Sequence, residues 1–209
     1  EDASLTMNVR ELPLRDAEGL PALVLPTVGF GKCPVDLSVP SSVPPTPTLV
    51  AADVISIFSD AYENEPVDFY NGYWQPYQTT TSSDFDVNGD NILSYENFNF
   101  VGHQFGSPTV DGSQMTHFHF DVFIPGTLDP GAQLRVTIKD FGPNGADGGG
   151  DDTTQEFTLT SADLTGDTWS SIDVPLSLSP KTRIGQLIYE NNGTNLEELY
   201  MDNVYFYRD

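Results

Sequence analysis

Apolar and polar residues alternate with a period of two through most of the chain after residue 48. Phe118, Phe120 and Val122 have one parity in their segment, and Leu134, Val136 and Ile138 repeat the pattern. Such alternation places every second side chain on one face of a β-strand. The same pattern predicts further strands at Val54–Phe58 and at residues 91–100, 155–159, 169–174, 186–189 and 199–207.

Turn-forming residues separate these segments, and no segment has an apolar face with helical spacing. Gly, Pro, Asn and Asp fill the gaps, and Asn192-Gly193 is typical of a hairpin turn. Because about eight short strands alternate with turns, we predict an all-β fold: an antiparallel β-sandwich of the jelly-roll type.

Composition changes near residue 48. Residues 1–48 hold eight of the 16 prolines and only one of the 24 aromatic residues, Phe30. We predict three parts. Residues 1–38 are the remnant of a preceding module or strands that pack on the main domain, residues 39–48 are a semi-rigid Pro/Thr-rich linker, and residues 49–209 are the β-sandwich.

Charge narrows the classes of partner. The chain has 8 Lys and Arg against 31 Asp and Glu, for a formal charge of -23. Nucleic acids and anionic membranes are bound by clusters of Lys and Arg that this sequence lacks, which argues against both as partners. No apolar run approaches the length of a membrane span, so membrane insertion is not expected. The single cysteine, Cys33, excludes an internal disulfide and a Cys-based zinc site. Uncharged sugars and hard cations such as calcium remain as expected partners.

An aromatic cluster stands in a turn-rich context at residues 70–77. Tyr73, Trp74 and Tyr77 lie there among Asn, Gly, Gln and Pro. Aromatic rings exposed in a groove stack on sugar rings, whereas a Trp that packs in the core is the alternative. Trp169 lies within an apolar strand pattern, so we expect it in the core.

Three other motifs have a structural interpretation beside a chemical one. His103, His117 and His119 are close in sequence and could hold zinc, or the last two could lie on the polar face of a strand. Residues 84–90 resemble half of an EF-hand loop, but Tyr95 occupies the twelfth position, which favours a turn between strands. The Gly-rich residues 140–152 form a loop that is solvated, borders a ligand groove or holds an ion.

Several short motifs together resemble one known family. They are VISIFSDAY at 54–62, WQ at 74–75, MTHFHFD at 115–121, DFG at 140–142, GGGDD at 148–152, WSSIDVPL at 169–176 and YMDNVYF at 200–206. Residues 49–209 thus resemble the calcium-bearing β-sandwich carbohydrate-binding modules of secreted or cell-surface polysaccharide-degrading proteins in marine Bacteroidetes. The resemblance implies neighbouring modules in a larger protein.

The resemblance also implies a function and a calcium site, and the chemistry of the aromatic and polar residues indicates a ligand-binding set. The function is non-catalytic binding of a neutral polysaccharide, first a β-glucan such as laminarin. The expected ligand-binding residues are Trp74, Tyr73, Tyr77, Gln104, Asp140 and Arg183. A structural Ca²⁺ joins the first strand to the last through Asp60, Tyr62, Asn64 and Asp202. The alternatives are a metal-dependent or glycoside hydrolase and a calcium-rigidified spacer or adhesion domain.

Overall fold

The computed structural model describes residues 39–72, 74–194 and 196–209. The expectation for residues 1–38 lies outside this range. The described residues form a short 3₁₀ turn at Ala51–Asp53 and ten strands: β1 (Val54–Phe58), β2 (Thr81–Val87), β3 (Asp90–Glu96), β4 (Phe100–Gln104), β5 (His117–Phe123), β6 (Gln133–Asp140), β7 (Thr153–Thr160), β8 (Trp169–Pro175), β9 (Ile184–Asn191) and β10 (Glu198–Tyr207). No helix in this part of the chain is long and apolar enough to cross a membrane.

The strands form two antiparallel sheets. A six-stranded sheet has the order β2-β3-β10-β5-β8, and β1 also pairs with β10. β3 pairs with the first part of β10 and β1 with its last part, so both lie along the same edge of that strand. A four-stranded sheet has the order β4-β9-β6-β7. The predicted antiparallel β-sandwich of the jelly-roll type is confirmed.

The core lies between the sheets, where the alternating apolar residues meet. Phe118, Phe120 and Val122 of β5 are fully buried, as are Leu134, Val136 and Ile138 of β6. Removing this apolar surface from water stabilises the sandwich by roughly 25 cal/mol per Å². The alternate side chains of β5, which include His117 and His119, point away from this core.

The turn at Asn88-Gly89 joins β2 to β3 as a tight hairpin. Both residues have positive φ, 60° and 91°, and Val87 pairs directly with Asp90, which is typical of a two-residue hairpin loop. The predicted Asn-Gly turn between strands is confirmed, and residues 84–87 belong to β2. Apolar periodicity missed β2 because most of its side chains are polar and exposed.

Two sequence-based expectations about connections are wrong. The predicted strand at 91–100 is interrupted at Asn97, whose φ is 50°, so that β3 and β4 belong to different sheets. Asn192-Gly193 does not form a hairpin, since it connects β9 to β10, which also lie in different sheets. A period of two identifies strands but carries no information about the sheet that each strand joins.

The Pro/Thr-rich segment lies against the outer face of the six-stranded sheet. Val43 packs against Ile92, Phe123 and Tyr200, with Trp169 beside them. Trp169 also donates a 2.7 Å hydrogen bond from Nε1 to the carbonyl of Ser42. The expectation that Trp169 belongs to the main core is therefore wrong, because the parity of β8 turns it outward under this segment. The proposed division at residues 38 and 48 stays a prediction.

Candidate functional site

The outer face of the four-stranded sheet presents an ordered array of side chains. Their neighbours in sequence, such as Val101, Val136 and Leu187, are buried in the core, so the alternate residues point outward. Strand register aligns them in three rows: Phe100 with Glu190 and Arg135, Gly102 with Ile188 and Thr137, and Gln104 with Gln186 and Lys139. We refer to these nine residues together with Trp74 as the platform.

Two glycines make room for the indole of Trp74 on the platform. A Cβ on Gly102 would lie 1.9 Å from Cη2 of the indole, and one on Gly72 would lie 2.8 Å from the same atom. The indole therefore rests directly on the two backbone segments. The loop is held in place because Trp74 donates its backbone N–H to Oε1 of Gln78 at 2.9 Å. Trp74 remains partly exposed.

A shallow cavity of about 330 Å³ lies on the platform. Another cavity, of about 390 Å³, lies near the Asn88-Gly89 turn. The platform cavity is lined by Trp74, Phe100, Lys139, Asp147, Gln186, Ile188 and Glu190. The ring centroids of Trp74 and Phe100 are 5.8 Å apart. An apolar floor with a few amide and charged groups at its edge is the composition expected of a site for a small molecule or a sugar.

The structure brings together part of the expected binding set. Gln104 lies on the platform and accepts a 3.3 Å hydrogen bond from Nε2 of Gln186. Tyr77 follows Trp74 in the same loop and is 75% exposed, although it does not line the cavity. Tyr73 lies outside the described residues.

Asp140 and Arg183 have a different position from the one expected. Asp140 is fully buried, and its carboxylate accepts backbone hydrogen bonds from Gly142 at 2.8 Å and from Arg183 at 2.6 Å. The Arg183 guanidinium donates to the carbonyls of Gly142 and Pro143. Both residues therefore hold the base of the Gly-rich loop, because a turning backbone has N–H and C=O groups that need partners.

Sequence reasoning missed several residues of the platform and its border. They are Phe100, Ile188, Gln186, Lys139, Glu190 and, next to Gly72, Phe69. Phe69 is 38% exposed, and its backbone forms an antiparallel bridge with Gln104 at the sheet edge. The sequence could have identified Phe100 by its parity. It alternates with Val101 and His103, which are buried, so its side chain faces outward.

The three histidines do not converge, so a zinc site formed by them is wrong. His103 is fully buried in the core, where burial lowers its pKa to about 3 and its Nε2 lies 2.9 Å from the Tyr95 hydroxyl. His119 lies on the outer face of the other sheet, with Nδ1 2.9 Å from Asp173. Burial opposes its charge, but hydrogen bonds to Asp121 and Asp173 raise the pKa of His119.

A cluster of acidic residues lies where β10 passes the hairpin of β2 and β3. Asp202 is 1% exposed, and burial, together with the charges of Asp90, Asp121 and Asp60, raises its pKa to about 7. Burial and a hydrogen bond with Asp60 raise the pKa of Asp90 to about 6. The salt bridges formed by the described residues do not include Asp202, so its charge has no cationic side-chain partner there.

The other two expected calcium ligands are engaged elsewhere. Tyr62 donates its hydroxyl to the carbonyl of Leu49 at 3.0 Å, and Asn64 accepts hydrogen bonds through Oδ1 from Ser56 and Ser59. Asp60 accepts a 2.8 Å hydrogen bond from the backbone of Asn91. Within the described residues, no three Asp, Glu, His or Cys side chains are grouped so that they alone could hold a metal ion.

Comparisons with known proteins were made by sequence and by structure. No family model and no curated protein matches the chain. Among solved structures, a family 30 carbohydrate-binding module has a TM-score of 0.51 and 12% identity, over 75% of this chain and 99% of that one. The family 11 module of the cellulosomal cellulase Lic26A-Cel5E of Clostridium thermocellum has a TM-score of 0.44 and 15% identity, over 63% and 82%. At such identities the similarity concerns the fold, and the chain has the β-sandwich fold of the family 30 module.

Proposed function

We propose that this protein binds a neutral polysaccharide without catalysis, on the outer face of the four-stranded sheet. The observation that supports this most directly is the seat of Trp74, whose indole rests on Gly72 and Gly102 and remains partly exposed. An aromatic side chain outside the core, beside Gln104 and Gln186, offers a stacking surface and hydrogen-bonding groups to a sugar.

Binding is favoured over hydrolysis by the state of the acids near the platform. A glycosidase needs two free carboxyl groups that flank the scissile bond. Glu190 instead forms a two-point ion pair with Arg135, and Asp147 contacts Lys139. The family resemblance makes a β-glucan such as laminarin the first candidate, and it makes a secreted or cell-surface protein with neighbouring modules the expected setting.

The function is tested by affinity electrophoresis through gels that contain laminarin, xylan, agar or alginate. We expect retardation by laminarin and none by alginate, because a polymer of negative charge is repelled by a protein with a formal charge of -23. If the protein migrates through every gel with a neutral glycan as fast as through a gel without glycan, the proposal is wrong. That result would favour the alternative of a calcium-rigidified spacer or adhesion domain.

We further propose that a structural Ca²⁺ binds at the acidic cluster, with Asp60, Asp90 and Asp202 as the candidate carboxylates. The residues fit the ion, since Asp202 is a buried carboxylate whose charged neighbours are also acids. Calcium takes six to eight oxygen ligands, including amide and backbone oxygens, so three carboxylates need not hold it alone. The ion would neutralise these charges where the Pro/Thr-rich segment, the β2–β3 hairpin and β10 meet.

Gly102→Ala should weaken glycan binding about tenfold although it removes no atom that could touch the ligand. The added Cβ would meet the indole at 1.9 Å, and the ring must move off its seat and lose its stacking geometry. Isothermal titration calorimetry with laminarin oligosaccharides measures the loss, and the fluorescence of Trp74 reports the movement. Gly106→Ala is the matched control, because its Cβ would lie 3.1 Å from Phe141 and 3.8 Å from Asp68 and Gln104, and none of its nearest atoms belongs to the indole. Unchanged affinity in Gly102→Ala would mean that Trp74 does not stack on the sugar.

A further inference from the structure

The platform carries two cationic side chains, and carboxylates occupy both. Arg135 donates from Nε and Nη2 to the two carboxylate oxygens of Glu190, at 2.9 and 2.7 Å. Such a two-point pair fixes the planar guanidinium, uses two of its five N–H donors and neutralises its charge. The pair raises the pKa of Arg135, so the cation stays charged and paired.

Lys139 is enclosed by the Gly-rich loop. Its Nζ lies 2.8 Å from Oδ2 of Asp152 and also contacts Asp147, and its side chain is only 20% exposed. Asp152 is itself held in place by the backbone N–H of Gly148 at 2.9 Å. Burial opposes the charge of Lys139, but the two carboxylates outweigh it and raise the lysine pKa.

We propose that Asp147, Asp152 and Glu190 determine specificity by excluding anionic polysaccharides from the platform. This inference rests on the proposed function and names the class of glycan that the site refuses. A uronic acid or sulfated sugar needs a free cation to offset the loss of its hydration. Each cation here already has a carboxylate partner, and that carboxylate repels an approaching anion. Specificity then comes from the electrostatic repulsion of anionic glycans.

The Gly-rich loop thereby acquires a role besides bordering the platform. Lys139 alone would give the platform a positive charge beside Gln186, with which it is aligned across the sheet. Two carboxylates from the loop change the local sum of charges from one positive to one negative. Replacing both carboxylates by amides reverses that sum while keeping the size of the side chains.

The test compares laminarin with carboxymethylated laminarin, which has the same backbone and added carboxylates. The double variant Asp147→Asn/Asp152→Asn should raise the ratio of affinities, charged over neutral, at least fivefold at low salt. The gain should shrink at 0.5 M NaCl, because ions screen exposed charges. The single variant Asp147→Asn retains the bond between Asp152 and Gly148 and should show a smaller change of the same sign, even if the double variant folds poorly.

Glu63→Gln/Glu65→Gln is the control, because it makes the same change in net charge at exposed positions after β1. If wild type does not bind laminarin, the proposed function is wrong. If wild type binds laminarin and both Asp variants leave the ratio unchanged, the inference about specificity is wrong and the function stands. An equal gain in the Glu63/Glu65 control would attribute the effect to net charge and would also overturn the inference.

Discussion

Asp202→Asn is expected to stabilise the metal-free protein at pH 8, by on the order of 4 kcal/mol. The wild-type carboxyl has a pKa near 7 when folded and about 3.9 when unfolded. Asparagine keeps the shape of the side chain and its acceptor for the backbone N–H of Asn203, and it removes the buried charge. Urea unfolding in EDTA measures the difference in free energy.

The sign of the pH dependence follows from the same shift. Between about pH 4 and pH 7 the folded state holds a proton that the unfolded state has lost. The free energy of unfolding of metal-free wild type should therefore fall as pH rises through this range and level off above pH 7. In Asp202→Asn the slope between about pH 6 and pH 7 should disappear, and the raised pKa of Asp90 should keep part of it below pH 6. Asp84→Asn, an exposed acid of β2, should keep it, and an identical slope in all three proteins would show that Asp202 does not titrate in this way.

Calcium should narrow the difference in stability between the two proteins. Saturation at 100 times the dissociation constant adds about 2.7 kcal/mol to a protein that binds only when folded. Wild type should gain this stability at pH 8, and Asp202→Asn should gain little because it lacks the central carboxylate. If wild type melts at the same temperature in EDTA and in calcium, the proposed calcium site is wrong. The predicted pH dependence of the metal-free protein would not be affected.

Local periodicity predicted the strands well because burial on one face imposes it. β1 has the predicted bounds Val54–Phe58, and β5 and β6 follow the parity of their apolar residues. Periodicity did not predict which sheet each strand joins, because two strands with identical patterns can lie in opposite layers. Phe100 shows the consequence. The sequence pattern made Phe100 the end of one long strand with no distinct role, whereas the structure makes it the first residue of β4 and part of the platform.

The candidate site was only partly predictable for a related reason. The identity of Trp74 and its turn-rich context marked it as exposed, and both are local properties. The seat formed by Gly72 and Gly102 depends on two segments that meet through a backbone hydrogen bond, which the sequence pattern does not encode. Asp140 and Arg183 were misjudged because a charged side chain beside a Gly-rich loop can hold the loop as readily as it can hold a ligand.

Trp74→Ala should weaken glycan binding at least tenfold, which corresponds to about 1.4 kcal/mol. Stacking of an aromatic ring on a flat ligand contributes on the order of 1–3 kcal/mol, by analogy with stacking on bases. The melting temperature should change little, because the indole lies on Gly72 and Gly102 outside the core formed by the two sheets. Titration calorimetry with laminarin and a thermal melt of the same preparation measure both quantities.

The chain offers a matched control in Trp169, the other of its two tryptophans. Trp169 also lies on an outer face, but of the six-stranded sheet, where its Nε1 bonds to Ser42. Trp169→Ala should loosen the Pro/Thr-rich segment and lower the melting temperature while it leaves glycan affinity unchanged. The two variants thus separate binding from stability on opposite sheets. If Trp169→Ala loses binding and Trp74→Ala retains it, the glycan site lies on the six-stranded sheet, on the face that carries His119 and Asp121.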